Sequence, residues 1–239
     1  MKLTYIREIK GKIRLVSGLH IGSGNMEMRI GGTDNPVIKH PHTGEPFIPG
    51  SSIKGKVRSL LELESGAMGV TGGAPLSMTH LGKIPSEDVR RCTNIIRLFG
   101  AGGSDAEMVI KEGIGPTRVS FADCYLDTDW KKEADDKALP LVEVKSENAI
   151  NRISGTASNP RFTERVPSGG EFTFSVTLKV LGDEEDLYDL LLRGLGLLEL
   201  DYLGGSGSRG YGRIRFEFED EAVRRRVDGF KKTLTEVAA

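Results

Sequence analysis

The sequence contains no long apolar run. Nowhere does it approach the roughly 18 consecutive hydrophobic residues that mark a membrane span, so neither a transmembrane segment nor a membrane partner is expected. Met1 to Lys10 interleaves charged and apolar residues without a continuous hydrophobic stretch, so no secretory signal is expected either. Cysteine is scarce: Cys92 and Cys124 are the only two, which argues against a disulfide framework and for a reduced, cytoplasmic location. Net charge is nearly absent, with 33 Lys and Arg against 34 Asp and Glu, so the overall charge does not point to nucleic acid. The four histidines, His20, His40, His42 and His80, fit neither H-E-x-x-H nor a Cys/His ligand spacing, and no structural zinc is expected. No nucleophile elbow or Ser-His-Asp order supports a hydrolase triad.

What is present is unevenly distributed. Residues 1–61 hold ten Lys or Arg against four Asp or Glu, so the first quarter is basic on a near-neutral chain and suggests one electropositive face. Glycine is abundant, 31 of 239 residues, well above the usual level of about 7%. These glycines follow no G-X-Y period and cluster between periodic segments, which points to backbone exposure in loops. The length suffices for a real core without metal or disulfide staples.

Periodicity predicts an α+β chain. Ile9 to Val16 reads as a half-buried strand, with Ile9, Gly11, Ile13 and Leu15 inward and Lys10, Lys12 and Arg14 outward. Ser51 or Ser52 is expected to cap a helix whose buried stripe is Ile53, Val57, Leu60 and Leu61. Gly66 to Gly82 has no period and reads as a mobile loop, and a second helix is expected over Asp88–Phe99, followed by the loop Gly100–Gly103. Thr117–Leu126 and Leu141–Ile150 read as strands around an acidic connection, Asp127–Asp136. Phe172, Phe174, Val176, Leu178 and Val180 alternate strictly and give the best strand. A helix follows, with Asp183–Asp186 at its acidic start and Leu187, Leu190, Leu191, Gly194, Leu195 and Leu198 on its buried stripe. Then come a glycine loop, Gly204–Gly212, a strand, Tyr211–Phe218, and a tail helix with Val223, Val227, Phe230 and Leu234. Strand and helix alternate too sparsely for a doubly wound sheet, so a ferredoxin-like (RRM-like) core with inserted loops is expected.

Two motifs look familiar but lack their context. Gly205-Ser206-Gly207-Ser208-Arg209-Gly210 matches G-x-G-x-x-G, yet it follows a helix and precedes a strand, the reverse of a dinucleotide site. It serves either as a nest of backbone N–H groups open to phosphate or as a plain turn. Gly50-Ser51-Ser52-Ile53-Lys54-Gly55-Lys56-Val57 misses the Walker A pattern at its last position, where Val57 lacks the hydroxyl that magnesium needs, so NTP hydrolysis is not expected. What remains is a helix start with two lysines, read as a phosphate site or as a solvated cationic face. Asp34, in Gly31-Gly32-Thr33-Asp34-Asn35-Pro36, is a turn carboxylate whose ordinary role is an Asx hydrogen bond. The polar segment from Asn148 through Arg152 and Arg161 to Arg165 reads as an exposed loop, or as a hairpin that wedges Ile153 or Phe162 between bases.

Taken in order, Leu19-His20-Ile21-Gly22, Asp34-Asn35-Pro36-Val37-Ile38-Lys39, Ile48-Pro49-Gly50-Ser51-Ser52-Ile53-Lys54-Gly55-Lys56-Val57-Arg58, Leu98-Phe99-Gly100, the Asn148–Arg165 segment and Gly204–Gly212 resemble the RAMP proteins of CRISPR systems. The resemblance is to the repeated backbone subunit of type III-A (Csm) interference complexes and covers nearly the whole chain. It implies one domain over 1–239 and a thumb β-hairpin within 140–170; the segments 66–84 and 100–116, read as flexible insertions, match no pattern of the family and their roles stay open. It also implies that Ser51, Ser52, Lys54, Lys56, Arg58, Gly205, Gly207 and Arg209 hold a CRISPR RNA, with Asn148, Arg152, Arg161 and Arg165 on the thumb and His20 near the guide. By the same resemblance Asp34 is the cleavage residue and the ligand of a divalent metal ion, magnesium. The implied partners are the guide, a complementary target RNA, further copies in a helical filament and other type III-A subunits. Related alternatives are a non-catalytic scaffold and a CRISPR RNA-processing endoribonuclease.

Overall fold

A computed structural model of the chain describes residues 2–24, 35–182 and 185–235. Strand β1 (Leu3–Leu15) begins well before the segment expected from alternation and forms the spine of the sheet. The other strands are β2 (Val119–Phe121), β3 (Glu143–Ile150), β4 (Ala157–Arg165), β5 (Glu171–Leu181) and β6 (Ile214–Phe218). Four of them form one sheet in the order β2-β5-β1-β6, with every neighbour antiparallel. The long helices of the core are α1 (Gly50–Glu64), α6 (Glu185–Leu200) and α7 (Glu221–Thr235). Leaving the insertions aside, the chain runs β1-α1-β2-β5-α6-β6, the βαββαβ order of a ferredoxin-like fold.

The alternation of β1 and β5 explains where the core sits. Ile9, Ile13 and Leu15 are buried on one face, in register with Val176, Phe172 and their neighbours on β5, and Phe216 of β6 lies opposite Ile13. Helices α1 and α6 pack against each other through Gly194. A Cβ there would lie 2.6 Å from Val57 Cγ1, so glycine permits the close approach. Glu199 of α6 knits the far side together: its buried carboxylate accepts from the Phe216 N–H (2.6 Å) and pairs with Arg224 and Lys231 of α7. Among the described residues no helix is long and apolar enough to cross a membrane.

Several segments differ from the sequence reading. The expected loop at 66–82 contains a short helix, α2 (Ala67–Thr71), and a 3-10 turn (Met78–Lys83), with Ala67, Leu76 and Met78 in the core. Buried carboxylates hold it: Glu62 accepts the Leu76 N–H (3.1 Å) and Asp105 the Met78 N–H (3.1 Å). Helix α3 (Ser86–Phe99) follows as expected, and the 100–116 insertion forms a 3-10 turn (Gly103–Asp105) and α4 (Ala106–Lys111). The acidic connection is a helix, α5 (Thr128–Asp136), because Asp127 caps it by accepting the Trp130 N–H and Ala134 supplies a buried contact. Strand β2 is only three residues long, with single bridges continuing at Cys124 and Leu126.

Candidate functional site

Helix α1 starts one residue before the expected cap. Pro49 is its N-cap, and neither Ser51 nor Ser52 caps it with a side chain. The Gly50 N–H instead donates to Asp123 Oδ1 at 2.8 Å, so a carboxylate from the segment after β2 satisfies the helix start. Gly50 is there because a Cβ would lie 2.3 Å from the Phe121 carbonyl. Ser51 is exposed and Ser52 half-buried at this end.

The cations of α1 have separate fates. Lys54 has no ion-pair partner among the described residues, and burial together with the Arg58 charge pulls its amine below the usual lysine range. Lys56 pairs with Asp201 at 2.7 Å and lies 3.9 Å from the centre of the Tyr202 ring. Arg58 turns inward, binding Glu62 Oε1 (2.7 Å), the Gly100 carbonyl (3.0 Å) and the Leu76 carbonyl (2.6 Å). It clamps the insertions to α1 rather than facing solvent, which differs from the guide-binding role expected for it. Ion pairs also temper the basic first quarter. Lys10, Lys12, Arg14, Lys39, Lys56 and Arg58 each have a carboxylate partner within 4 Å.

The glycine loop lies against both α1 and the first strand segment. The Gly207 backbone packs on the Tyr202 ring, where any Cβ would fall 2.0 Å from a ring carbon. Tyr202 thus stands between Gly207 and Lys56. Gly204 has φ +76°, and a Cβ on it would lie 2.3 Å from the His20 carbonyl. The same carbonyl accepts the Gly205 N–H at 2.9 Å. Other N–H groups of the loop are also used within the fold, Arg209 to Ser206, Gly210 to Gly207 and Gly212 to Gly18, so only part of the loop remains available as an anion nest.

Strands β3 and β4 form a two-stranded hairpin apart from the main sheet. Asn151 Oδ1 accepts the N–H groups of Ile153 and Ser154 to make the tip, which presents Arg152 and a fully exposed Ile153. A register shift brings Asn159 and Pro160 opposite the single exposed Asn148, and Asn159 has φ +51°. Arg161 is exposed, whereas Arg165 is held by Glu143 (2.7 Å) and lies 4.9 Å from the Tyr211 ring centre. Midway along the hairpin Glu147 accepts from Arg209 (2.7 Å) and from the Tyr211 hydroxyl (3.0 Å). Burial works against the Glu147 charge, but these donors and Lys145 outweigh it and hold the carboxyl below its usual range. Burial, with Glu147 beside it, pushes the Tyr211 phenol up. Arg209, expected on RNA, is thus paired to the hairpin.

Glu164 of β4 joins the hairpin to the two segments that carry His20 and the residues after Asp34. Its carbonyl accepts His20 Nδ1–H at 2.7 Å, and its N–H donates to the Asn35 carbonyl at 3.0 Å. Its carboxylate takes the Val37 N–H (2.9 Å) and Lys39 Nζ (2.8 Å). A proton on Nδ1 leaves Nε2 as the remaining polar atom of His20. Asp34 itself lies outside the described residues. Among the described residues no group of three or more His, Cys, Asp or Glu side chains could hold a metal ion.

The structure therefore brings His20, the glycine loop and the β3–β4 hairpin together, joined to α1 through Lys56 and Tyr202, with Arg58 directed elsewhere. Sequence reasoning missed Asp123, Glu147, Glu164, Tyr202 and Tyr211. Each is a single residue in an ordinary strand or loop, and no spacing rule marks it.

A family model described as the RAMP superfamily matches residues 12–215. The chain is 40% identical over 224 residues to the CRISPR system Cms endoribonuclease Csm3 of Methanothermobacter thermautotrophicus, covering 87% of this chain and 82% of that protein. It is 39% identical over 212 residues to the protein of the same name from Enterococcus italicus, covering 87% and 88%. Among solved structures, the Methanopyrus kandleri Csm3 crystal structure matches with TM-score 0.56 and 26% identity over 89% of this chain and 75% of that one. A chain of a Csm3-Csm4 subcomplex matches in fold with TM-score 0.54 and 24% identity, covering 99% and 98%.

Proposed function

The chain belongs to the RAMP superfamily, and from that membership we propose that it is a CRISPR RNA-binding backbone subunit of a type III-A effector complex that cuts complementary target RNA. Copies line up along the guide in the cytoplasm beside the other subunits of the complex, and cleavage recurs at regular intervals. The observation that carries this reading is the convergence on Glu164 of the hairpin, His20 and the segment following Asp34. The relatives named as endoribonucleases support the RNA-cleaving part of it.

The guide backbone runs over the α1 start and the glycine loop, where the Ser51 and Ser52 hydroxyls and the Lys54 amine meet phosphates and Gly205 and Gly207 put no side chain in the way. Lys56 and Arg209 hold the two supports of that surface through Asp201 and Glu147. The hairpin, with Asn148, Arg152 and Arg161 exposed, splays the target strand. Asp34 orients the ribose 2′-hydroxyl toward the adjacent phosphate; the 2′-oxygen loses its proton and bonds to phosphorus as the P–O5′ bond breaks, leaving a 2′,3′-cyclic phosphate on one fragment and a protonated 5′-hydroxyl on the other. DNA lacks that hydroxyl and is not cut. Asp34 is also the residue that would hold a divalent cation, magnesium, whose contribution is charge neutralisation at the scissile phosphate.

The test is to assemble guide-loaded complexes with wild-type or Asp34→Ala subunits and follow both binding and cleavage of a complementary RNA, with magnesium and with a chelator. Loss of every periodic cut with binding intact supports the assignment. Unchanged cutting overturns it and leaves the chain as a scaffold.

A further inference from the structure

Four rings meet at the surface beyond the Asn35–Lys39 segment, and nothing above uses them. His40 lies edge-on to Tyr125 (5.8 Å between centres), Phe47 stacks on Tyr125 (5.8 Å), and His42 lies 5.5 Å from His40. Tyr125 is 47% exposed and His42 is exposed. The hydroxyl of Tyr125 has no partner among the described residues. The platform is firmly mounted. Main-chain bonds between Ile48 and Cys124 (2.9 and 2.8 Å) tie its two strands of chain together, and Lys131 of α5 pairs with Glu45 behind it. His40 Nδ1 accepts the N–H groups of His42 and Thr43 at 3.3 and 3.4 Å, which fixes its ring within the turn.

The main sheet gives this cluster its significance. Its open face carries Glu8, Lys10, Lys12, Thr173 and Ser175, none of which offers an aromatic ring to a base. An RRM-like core ordinarily stacks bases on aromatic residues of that face. Here the rings sit instead off that face: His40, His42 and Phe47 on the turn that follows Asp34 in the chain, with His40 six residues along, and Tyr125 on the segment after β2 that pairs with it at Ile48 and Cys124. Six residues span at most about 20 Å.

We propose that His40, His42, Phe47 and Tyr125 form a stacking surface for one RNA base, presented beside the cleavage segment in each copy of the subunit. Tyr125 supplies the exposed face and Phe47 backs it. Stacking accepts any base, so the surface positions the strand without reading its sequence. This inference rests on the RNA-binding function proposed above. The base comes from the guide or from the target, and the chemistry is the same for both.

The experiment uses guide-loaded complex and complementary RNA, with 5-iodouridine placed at successive single positions in either strand, and photocrosslinks mapped by peptide. RNA binding is read in the same samples by gel shift. One position per subunit repeat is expected to crosslink to the Tyr125 peptide or the His40–Phe47 peptide. Tyr125→Ala is expected to lower that yield about five- to hundredfold, the range stacking gives on alanine substitution, and Tyr125→Phe to retain it. Crosslinks from the guide or from the target identify which strand supplies the base. Bound RNA that crosslinks elsewhere only, or a yield unchanged in Tyr125→Ala, overturns the stacking surface. Failure of wild-type complex to bind either RNA overturns the underlying function, and the stacking surface with it.

Discussion

Lys39 Nζ lies 2.8 Å from Glu164 Oε1, so the segment that follows Asp34 is held to the hairpin by an ion pair with one largely buried partner. The same carboxylate takes the Val37 N–H, and the two bonds act together. Glu164→Gln keeps an acceptor for Val37 and loses only the charge. Glu164→Ala leaves a buried N–H unpaired, at about 1–3 kcal/mol. For a domain of this size about 2–4 °C is lost per kcal/mol. Thermal melting is expected to rank wild type above Gln and Gln above Ala; Gln and Ala melting together would contradict the role given to the Val37 bond.

Gly204 and Gly210 both have left-handed backbones, with φ of +76° and +85°. An alanine at either position carries about 1–2 kcal/mol of left-handed strain. Only at Gly204 would the added Cβ strike the His20 carbonyl, at 2.3 Å, while at Gly210 it meets nothing within 4 Å. Gly204→Ala is therefore expected to destabilise more and to weaken guide binding through His20. Gly210→Ala is expected to cost only the strain. Paired melts and guide-binding titrations check the difference.

Glu147 predicts a pH dependence for the contact between the hairpin and the Arg209–Tyr211 segment. Its folded pKa is depressed, so its contribution is full above the unfolded carboxylate range and is lost as pH falls through the lower folded value. The melting difference between wild type and Glu147→Gln should be largest near neutrality. It should close below the usual glutamate range. A difference constant down to strongly acidic pH would show that the carboxylate charge does not hold Arg209 and Tyr211.

Lys54 and Arg58 are one helical turn apart and should behave oppositely. Arg58→Ala strands the buried Glu62, at about 3–5 kcal/mol. Lys54→Ala removes a cation with no partner among the described residues. It should leave the melting temperature nearly unchanged and lower guide affinity, with a shallower salt dependence by about 0.7 per lost phosphate contact. Salt titrations beside melts distinguish the two.

Much of the core was legible because burial imposes a period. The strict alternation of Phe172 to Val180 and the leucine stripe of α6 each leave one geometry that hides the apolar side chains. Helix α5 was not legible, since its anchor is one cap, Asp127, and one buried alanine within an acidic run. The insertions were misread as loops because buried carboxylates, Glu62 and Asp105, hold them where an apolar pattern is missing.

The sequence by itself determined the α+β order, the buried faces of β1, β5, α1 and α6, and the motifs that place the chain in its family, all properties of neighbours along the chain. Tertiary structure alone decided which charges are free. His20 meets Glu164 across 144 residues, and Gly50 finds its Asp123 acceptor across 73. Arg58 and Arg209 both look like phosphate ligands in sequence, yet folding turns Arg58 inward onto Glu62, while Arg209 stays half-exposed beside Glu147. Hydrogen bonds and ion pairs act over a few ångströms of space whatever the separation along the chain, so no local pattern encodes their partners.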